Sequence, residues 1–383
     1  MTDAPRSAPL SAPLPGHDDG ALWSALPLQT PPARGPVVFR GQPEDFVVEE
    51  LPAYLPCGEG EHLYLRVEKR ELSTSAVVRG LCQRFRLREA DVGYAGRKDE
   101  RAVSRQWLSV PARALLDEAG AYRIAEVEAL GVRVLEHARH KNKLRLGHLR
   151  GNAFTVRLGL EPGALDVAAL QARLALVEQG IPNQFGAQRF GPRDDSLRQA
   201  ERFLERRQRA RSRKETFWVS VAQSSIFNAW LTDRVQDGSW RTPLDGDILW
   251  KLPSLAPFEC TDPAADAPRA AAREIVVTGP LHGAAMRSAQ REALTRESRS
   301  LVRLGVDASA LNAHPAFDTG ARRAACLWPS ELSAEAVDGG LSLRFSLTKG
   351  AFASVVLRAV FGPALADAAF ADGGADTDLH AAR

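Results

Sequence analysis

Cysteine is scarce and scattered: Cys57, Cys82, Cys260 and Cys326 are the whole complement of a 383-residue chain. None is spaced as CxxC, so neither a zinc ribbon nor a disulfide scaffold fits, and reduced structural thiols are expected. Long apolar runs are missing as well. No stretch approaches the roughly 20 residues that cross a bilayer, and residues 1–26 lack the basic start and apolar centre of a signal peptide. A soluble, cytoplasmic protein without membrane association is the expectation. Nor is charge of one sign in excess, since 50 Lys and Arg against 47 Asp and Glu leave only +3. HExxH, HxxEH, GxSxG and a GxGxxG strand-helix signature are all absent, which leaves metallohydrolase, serine hydrolase and dinucleotide readings without support. No fixed repeat period suggests a solenoid or propeller.

Hydrophobic residues make up 44% and charged residues 25%, the balance of a folded globular protein rather than a disordered one. At ~150 residues per domain the length suggests about two domains. Residues 1–35, rich in Pro, Ala and Ser, and the small polar residues 366–383 read as disordered tails. Between them the charge is unevenly spread. HARHKNKLRLGHLR (His137 to Arg150) holds no acid, and RRQRARSRK (Arg206 to Lys214) is a second basic stretch. Such patches suit a phosphate backbone; for the second, a solvated helix face is an equal alternative.

Periodicity organises the rest. In HLYLRV, Leu63, Leu65 and Val67 alternate with His62, Tyr64 and Arg66, the pattern of a half-buried strand. The following segment places Val77, Val78, Leu81, Cys82 and Phe85 on one side of a helix that Ser73, Thr74 or Ser75 can cap. Trp107 to Val110 and Asn152 to Leu158 read as strands, and Asp166 to Gln179 as a helix ended by Gly180. Near the C-terminus a strand through Leu341, Leu343, Phe345 and Leu347 gives way to a helical AFASVVLRAVF. The centre, about 180–327, is richer in Arg and in helical stretches, with a Pro/Ala/Asp-rich interruption from Ser254 to Arg269, and reads as a separate, largely helical domain.

The densest chemistry lies in GYAGRKDERAVSRQW (Gly93 to Trp107), whose two glycines deliver Arg97, Lys98 and Asp99 onto a loop. A phosphate loop would need four residues between the glycines and a hydroxyl after the lysine; here two intervene and Asp99 follows. Asp99 among Arg97, Lys98 and Arg101 reads either as a carboxylate held ionised and nucleophilic by cations, or as a turn aspartate in surface ion pairs. Spacing alone favours the second. In GNAFTVRL, Asn152, Phe154 and Val156 share one strand face, so an amide that can bond a base edge sits beside a ring that can stack on a base. A core Phe beside a turn Asn is the simpler reading of that spacing. NQFGAQRFG interleaves Gln184, Gln188 and Arg189 with Phe185 and Phe190, which suits RNA contact or a domain hinge. His62, at the start of its strand, could bond a carboxylate or a ribose, or be structural.

Taken together, these stretches resemble the TruD family of tRNA pseudouridine synthases. PEDFVVEE, GEGEHLYLRVEK, GYAGRKDERAVSRQW, ARHKNKLRLGHLRGNAF, IPNQFGAQRFG, SSIFN, ARRAACLWP and FSLTKGAFASVVLR fall in the family's order across nearly the whole chain outside the tails. The resemblance implies an α+β fold: a pseudouridine synthase-like catalytic domain with a mixed, mainly antiparallel sheet (36–179 and 328–365) and an inserted, largely helical domain (180–327). It implies a cofactor-free, metal-free isomerisation of uridine to pseudouridine in tRNA at position 13, with the base flipped out of its stack. The family's catalytic aspartate falls on Asp99 and its GNxF pair on Asn152 and Phe154. Phe154 would stack on the uracil and Asn152 would hydrogen-bond near Asp99, while Lys98 and Arg97 would keep the acid ionised or meet a phosphate. The partner implied is tRNA, with no nucleotide cofactor.

Departures from the family pattern fall at Arg40, Ser73, Gln223, Thr348 and Ser354, none at Asp99, Asn152 or Phe154. A silent RNA-binding protein would have no use for the acid in the AGRKD loop, and a kinase or ATPase would need the phosphate loop that is missing.

Overall fold

The computed structural model describes residues 32–39, 41–303 and 313–362, together with Leu14, Leu22, Trp23, Val306, Leu311 and Leu365. Most of the expected tails, and Arg40, lie outside the described residues. The elements follow in the order β1 (Val38–Phe39), β2 (Phe46–Pro52), β3 (His62–Arg70), α1 (Thr74–Phe85), β4 (Gly93–Tyr94), β5 (Val103–Pro111), α2 (Ile124–Glu128), β6 (Val132–His140), β7 (Leu149–Gly159) and α3 (Val167–Glu178). Then come β8 (Ile181–Pro182), α4 (Asp195–Leu204), α5 (Arg213–Gln236), β9 (Ile248–Lys251), β10 (Ala256–Glu259), α6 (Pro263–Ala271), β11 (Ile275–Leu281) and α7 (Arg291–Arg303). The last are β12 (Ala321–Ala324), β13 (Cys326–Leu327), β14 (Ser330–Val337), β15 (Gly340–Thr348) and α8 (Ala353–Phe361).

The chain forms two compact units. One gathers Pro31–Glu178, Pro329–Ala353 and the described residues of Val360–Arg383; the other gathers Gln179–Trp328 and Ser354–Ala359 with the described residues of Met1–Thr30. The fold is α+β. In the first unit a nine-stranded sheet runs β14-β15-β7-β2-β5-β3-β6, with β1 also on β7 and β4 also on β5. Every pairing in it is antiparallel except that of β2 with β5.

Paired residues in a sheet point to the same side and neighbours along a strand to opposite sides. One side of β3 and β5 therefore carries Leu63, Leu65, Val67, Leu108 and Val110, and α1 lays Val77, Val78, Leu81 and Phe85 on it. Ser73 starts α1 by accepting from the Ala76 amide at 3.2 Å. Burying each such aliphatic side chain stabilises by about 1.5–3 kcal/mol. The other side of β3 is also covered, which alternation does not reveal: Tyr64 is 1% exposed in a second cluster with Ala95, Trp107, Leu144 and Leu149. Its phenol is satisfied by donating to the Asn142 carbonyl at 3.0 Å, so the hydroxyl does not force the ring into water.

The second unit holds the four helices α4 to α7, a four-stranded sheet β10-β9-β11-β12 and the short pair β13-β8. The Pro/Ala/Asp-rich stretch is ordered rather than an interruption. It supplies β10 and then α6, where Asp262 caps by accepting from the Ala265 amide and Pro263 occupies the first turn, in which no amide hydrogen is needed. The polar-aromatic stretch at 183–191 is interior. Gln184, Phe185, Arg189 and Phe190 are all buried, Arg189 bonds Ser220 and Ser224, and the Arg323 guanidinium lies 4.0 Å from the Phe185 ring centroid. Burial pushes Arg189 down to about 9. These side chains hold their own unit together, which overturns RNA contact as their role. Arg206 to Arg211 form an exposed connection before α5, rather than a helix face. Among the departures, Ser73 caps α1, Gln223 bonds the His282 carbonyl, Ser354 is buried and Thr348 is exposed.

Candidate active site

The loop carrying Asp99 joins β4 to β5, and its ends are fixed by burial of Ala95 and Ala102. Gly93 is needed at the entry: a Cβ there would stand 2.3 Å from the Leu144 carbonyl oxygen. Gly96 has no such demand, because its Cβ would meet nothing closer than 3.5 Å.

Three side chains from the sheet and α1 hold the loop by its backbone. The Lys98 amide donates to Thr74 Oγ1 at 2.9 Å, Thr74 Oγ1 donates to Gln106 Oε1 at 2.8 Å, and Gln106 Nε2 reaches the Gly96 carbonyl at 3.4 Å. From the third side chain, Lys69 Nζ donates to the Asp99 carbonyl at 2.8 Å, with the Lys98 carbonyl and Ser104 Oγ each at 3.4 Å. Lys69 is 1% exposed. Burial pushes its ammonium down to about 8, against the opposing pull of Asp99 and in concert with repulsion from Lys98. Asp99 and Arg97 are both half-buried on this loop.

Lys98 takes a different direction from its neighbours. Its side chain is 4% exposed and its Nζ lies 3.0 Å from Oε2 of Glu50, which is itself 1% exposed. Glu50 Oε1 also accepts from the Trp107 amide at 3.2 Å. The expectation that Lys98 meets a phosphate is therefore corrected: its charge is spent internally on a buried carboxylate, and no phosphate can reach it without breaking that pair.

Glu50 lies opposite Asn152 in the β2-β7 register, and Phe154 lies opposite both Val48 and Phe345. Glu50, Asn152, Phe154, Ser104, Gln106 and Lys69 thus project from one side of the sheet. Asn152 Oδ1 is buried without a hydrogen-bond partner, an acceptor held ready for a donor. Phe154 is 8% exposed, with ring centroids of Phe46 and Phe345 at 5.8 and 5.3 Å. It is a member of an aromatic row on the sheet as much as a surface.

Glu50 and Lys69 do not stand out among the sequence motifs, although a signal for them exists. In Phe46, Val48, Glu50 and in Leu63, Leu65, Val67, Lys69 the ionisable residue continues the inward-facing set. A charge at an inward position must find a partner or a task. His62, by contrast, keeps a buried Nδ1 without a partner and is pushed below its ordinary value by burial. Among the described residues no group of three His, Cys, Asp or Glu side chains gathers as a metal ligand set, and no helix is long and apolar enough to cross a membrane.

Comparison with known proteins gives this arrangement its relatives. The family described as tRNA pseudouridine synthase D (TruD) matches residues 29–209 and 196–360. The tRNA pseudouridine synthase D of Anaeromyxobacter sp. (strain Fw109-5) is 42% identical over 369 residues, covering 94% of this chain and 96% of its own. That of Thermus thermophilus is 38% identical over 325 residues, covering 84% and 88%. The crystal structure assigned to tRNA pseudouridine synthase D (TruD) of Methanosarcina mazei superposes with a TM-score of 0.62 at 21% identity, covering 86% of this chain and 94% of that one, and so shares its fold. From the ordered motifs to the sheet that carries them, the chain belongs to the TruD family of pseudouridine synthases.

Proposed function

We propose that this protein isomerises uridine to pseudouridine in tRNA, at position 13, with Asp99 performing the chemistry on a uridine flipped out of its stack. The observation that carries the reading is the backbone grip on Asp99 by Lys69, beside a sheet face that offers an unpartnered buried Asn152 acceptor and the Phe154 ring. The reaction breaks the C1′–N1 bond, turns the uracil and rejoins it through C5. No atom is gained or lost, so a positioned carboxylate and a shaped pocket suffice. Attack at C6, attack at C1′ and removal of a proton from C2′ all begin from an ionised Asp99. Uracil offers one imide N–H, and Asn152 Oδ1 is an acceptor of matching polarity for it. Phe154, 8% exposed in its row with Phe46 and Phe345, would meet the flipped base with the part of its ring those neighbours leave uncovered.

The basic stretch from His137 to Arg150 supplies the sequence-independent attraction for the RNA backbone. The test is tritium release from C5-labelled uridine in tRNA by the protein and by Asp99→Asn, with carbodiimide mapping of the modified position. Release by the protein, none by the variant, and a stop at position 13 are expected. Release at an undiminished rate by Asp99→Asn would overturn the assignment.

A further inference from the structure

A cavity of about 510 Å³ opens in the first unit, lined by Tyr54, His140, Asn142, Lys143, Arg145 and His148. It lies on the side of β3 that carries Tyr64, whose ring is 4.9 Å from that of His140, whereas Lys69, which holds the Asp99 carbonyl, lies on the other side. Tyr64 and Lys69 are also separated along the strand by about 16 Å at ~3.3 Å per residue. The cavity is therefore distinct from the place where Lys69 grips the Asp99 backbone.

Its chemistry is narrow. Tyr54 stacks on His140 with ring centroids 5.2 Å apart and planes 21° apart, and meets His148 edge-on at 5.7 Å. The Tyr54 hydroxyl and His148 Nδ1 are hydrogen-bonded at 2.6 Å, which fixes both rings. Burial, then the nearby charges of Arg145 and Lys349, push His148 below its ordinary value. His148 Nε2 stays outside that bond, a ring nitrogen left to meet a ligand. No carboxylate lines the wall. Lys143 is held by donating to the Ala90 carbonyl, and Arg145 is exposed. Flat π faces, ring nitrogens and cations without acids match a base joined to a phosphate, and the volume falls in the range of small-ligand sites, about 300–1,000 Å³.

We infer that this cavity binds one nucleotide of the RNA substrate, other than the one presented to Asp99, its base against the Tyr54 and His140/His148 rings and its phosphate on Arg145. The inference rests on the tRNA reading above. It adds to that reading a second grip, one that fixes the register of the RNA at a distance from the reacting uridine.

The experiment measures Kd of the full chain for a tRNA transcript by filter binding, with melting curves for every variant. Tyr54→Ala is expected to weaken binding by about tenfold, the loss of a single stacking platform, while Tyr54→Phe, which keeps the ring, stays within about threefold. Arg145→Glu is expected to weaken binding and to lower the salt slope by about one counterion. Should Tyr54→Ala not fold, Tyr54→Leu, which fills the space without a π face, takes its place. Folded variants that keep the wild-type tRNA Kd overturn the inference. So does a free-nucleotide site: saturable binding of UMP or AMP, lost in the variants while tRNA affinity is kept. Tritium release by the wild type reports separately on the proposed activity. A chain that binds tRNA in this ring-dependent way but releases no tritium would sink the activity and leave the subsite standing.

Discussion

Lys69 Nζ lies 2.8 Å from the main-chain carbonyl of Asp99, so a buried ammonium holds the proposed catalytic residue by its backbone. That ammonium titrates near 8 in the folded chain, and its pH dependence can be read in two ways. For activity, raising the pH through about 8 removes the charge that gathers the Asp99 and Lys98 carbonyls, so turnover is expected to fall along a limb centred there. Lys69→Gln, with no charge to lose, is expected to be slower and flat across the same range. For stability the sign is opposite. Between about 8 and 10.5 the unfolded chain holds a proton on this lysine that the folded chain has released, so its contribution to stability rises with pH over that window. A pH–rate profile of both proteins, under single-turnover conditions, checks the first point. A limb that persists unchanged in Lys69→Gln would assign it to another group.

Asp99→Asn is expected to abolish tritium release while tRNA binding and the melting temperature persist. The grip of Lys69 is on the main chain, which asparagine leaves in place. The carboxylate is half-buried on the loop, and the buried Lys69 ammonium that it favours keeps its backbone acceptors. Filter binding, calorimetry and tritium release on one preparation separate the three quantities.

Breaking the Lys98–Glu50 pair should be costly, because both partners are nearly inaccessible. Glu50→Gln leaves an ammonium buried without a counter-charge and is expected to destabilise by about 3–5 kcal/mol. Adding Lys98→Met should recover most of that loss, since no lone charge then remains. Urea unfolding of the two single variants and the double variant measures the coupling.

Phe154 is asked to do two things, and two substitutions separate them. Phe154→Ala empties a position between Phe46 and Phe345 and is expected to cost about 3–5 kcal/mol of stability. Phe154→Leu fills most of that space without a π face. It should keep the fold, yet lose roughly tenfold in single-turnover rate if the ring stacks on uracil. A Leu variant with wild-type rate would leave Phe154 as packing alone.

What can be read from the sequence follows from how one-sided each element is. The stripe on α1 and the alternation in β15 register one apolar face against one polar face, and both elements stand where periodicity puts them. β3 is covered on both sides, and there alternation reports which side is more apolar rather than which is buried; the burial of Tyr64 escapes it for that reason. Asp99 is legible only through the resemblance, because a loop acid among cations is locally indistinguishable from a surface ion pair. The partnership of Lys98 with Glu50 spans 48 residues of chain and depends on a strand pairing that no local pattern reveals.

β3 presents Lys69 on one side of its pleat and Tyr64 on the other. A slip of one residue in its pairing would exchange the two sides. Lys69 would leave the Asp99 loop and Tyr64 would leave the cavity rings at the same moment. Misregistered molecules would then be inert in both respects rather than partly competent, and a preparation would consist of fully working and fully silent copies. Active-site counting, not average rate, is the measurement that would reveal how faithfully this strand is set.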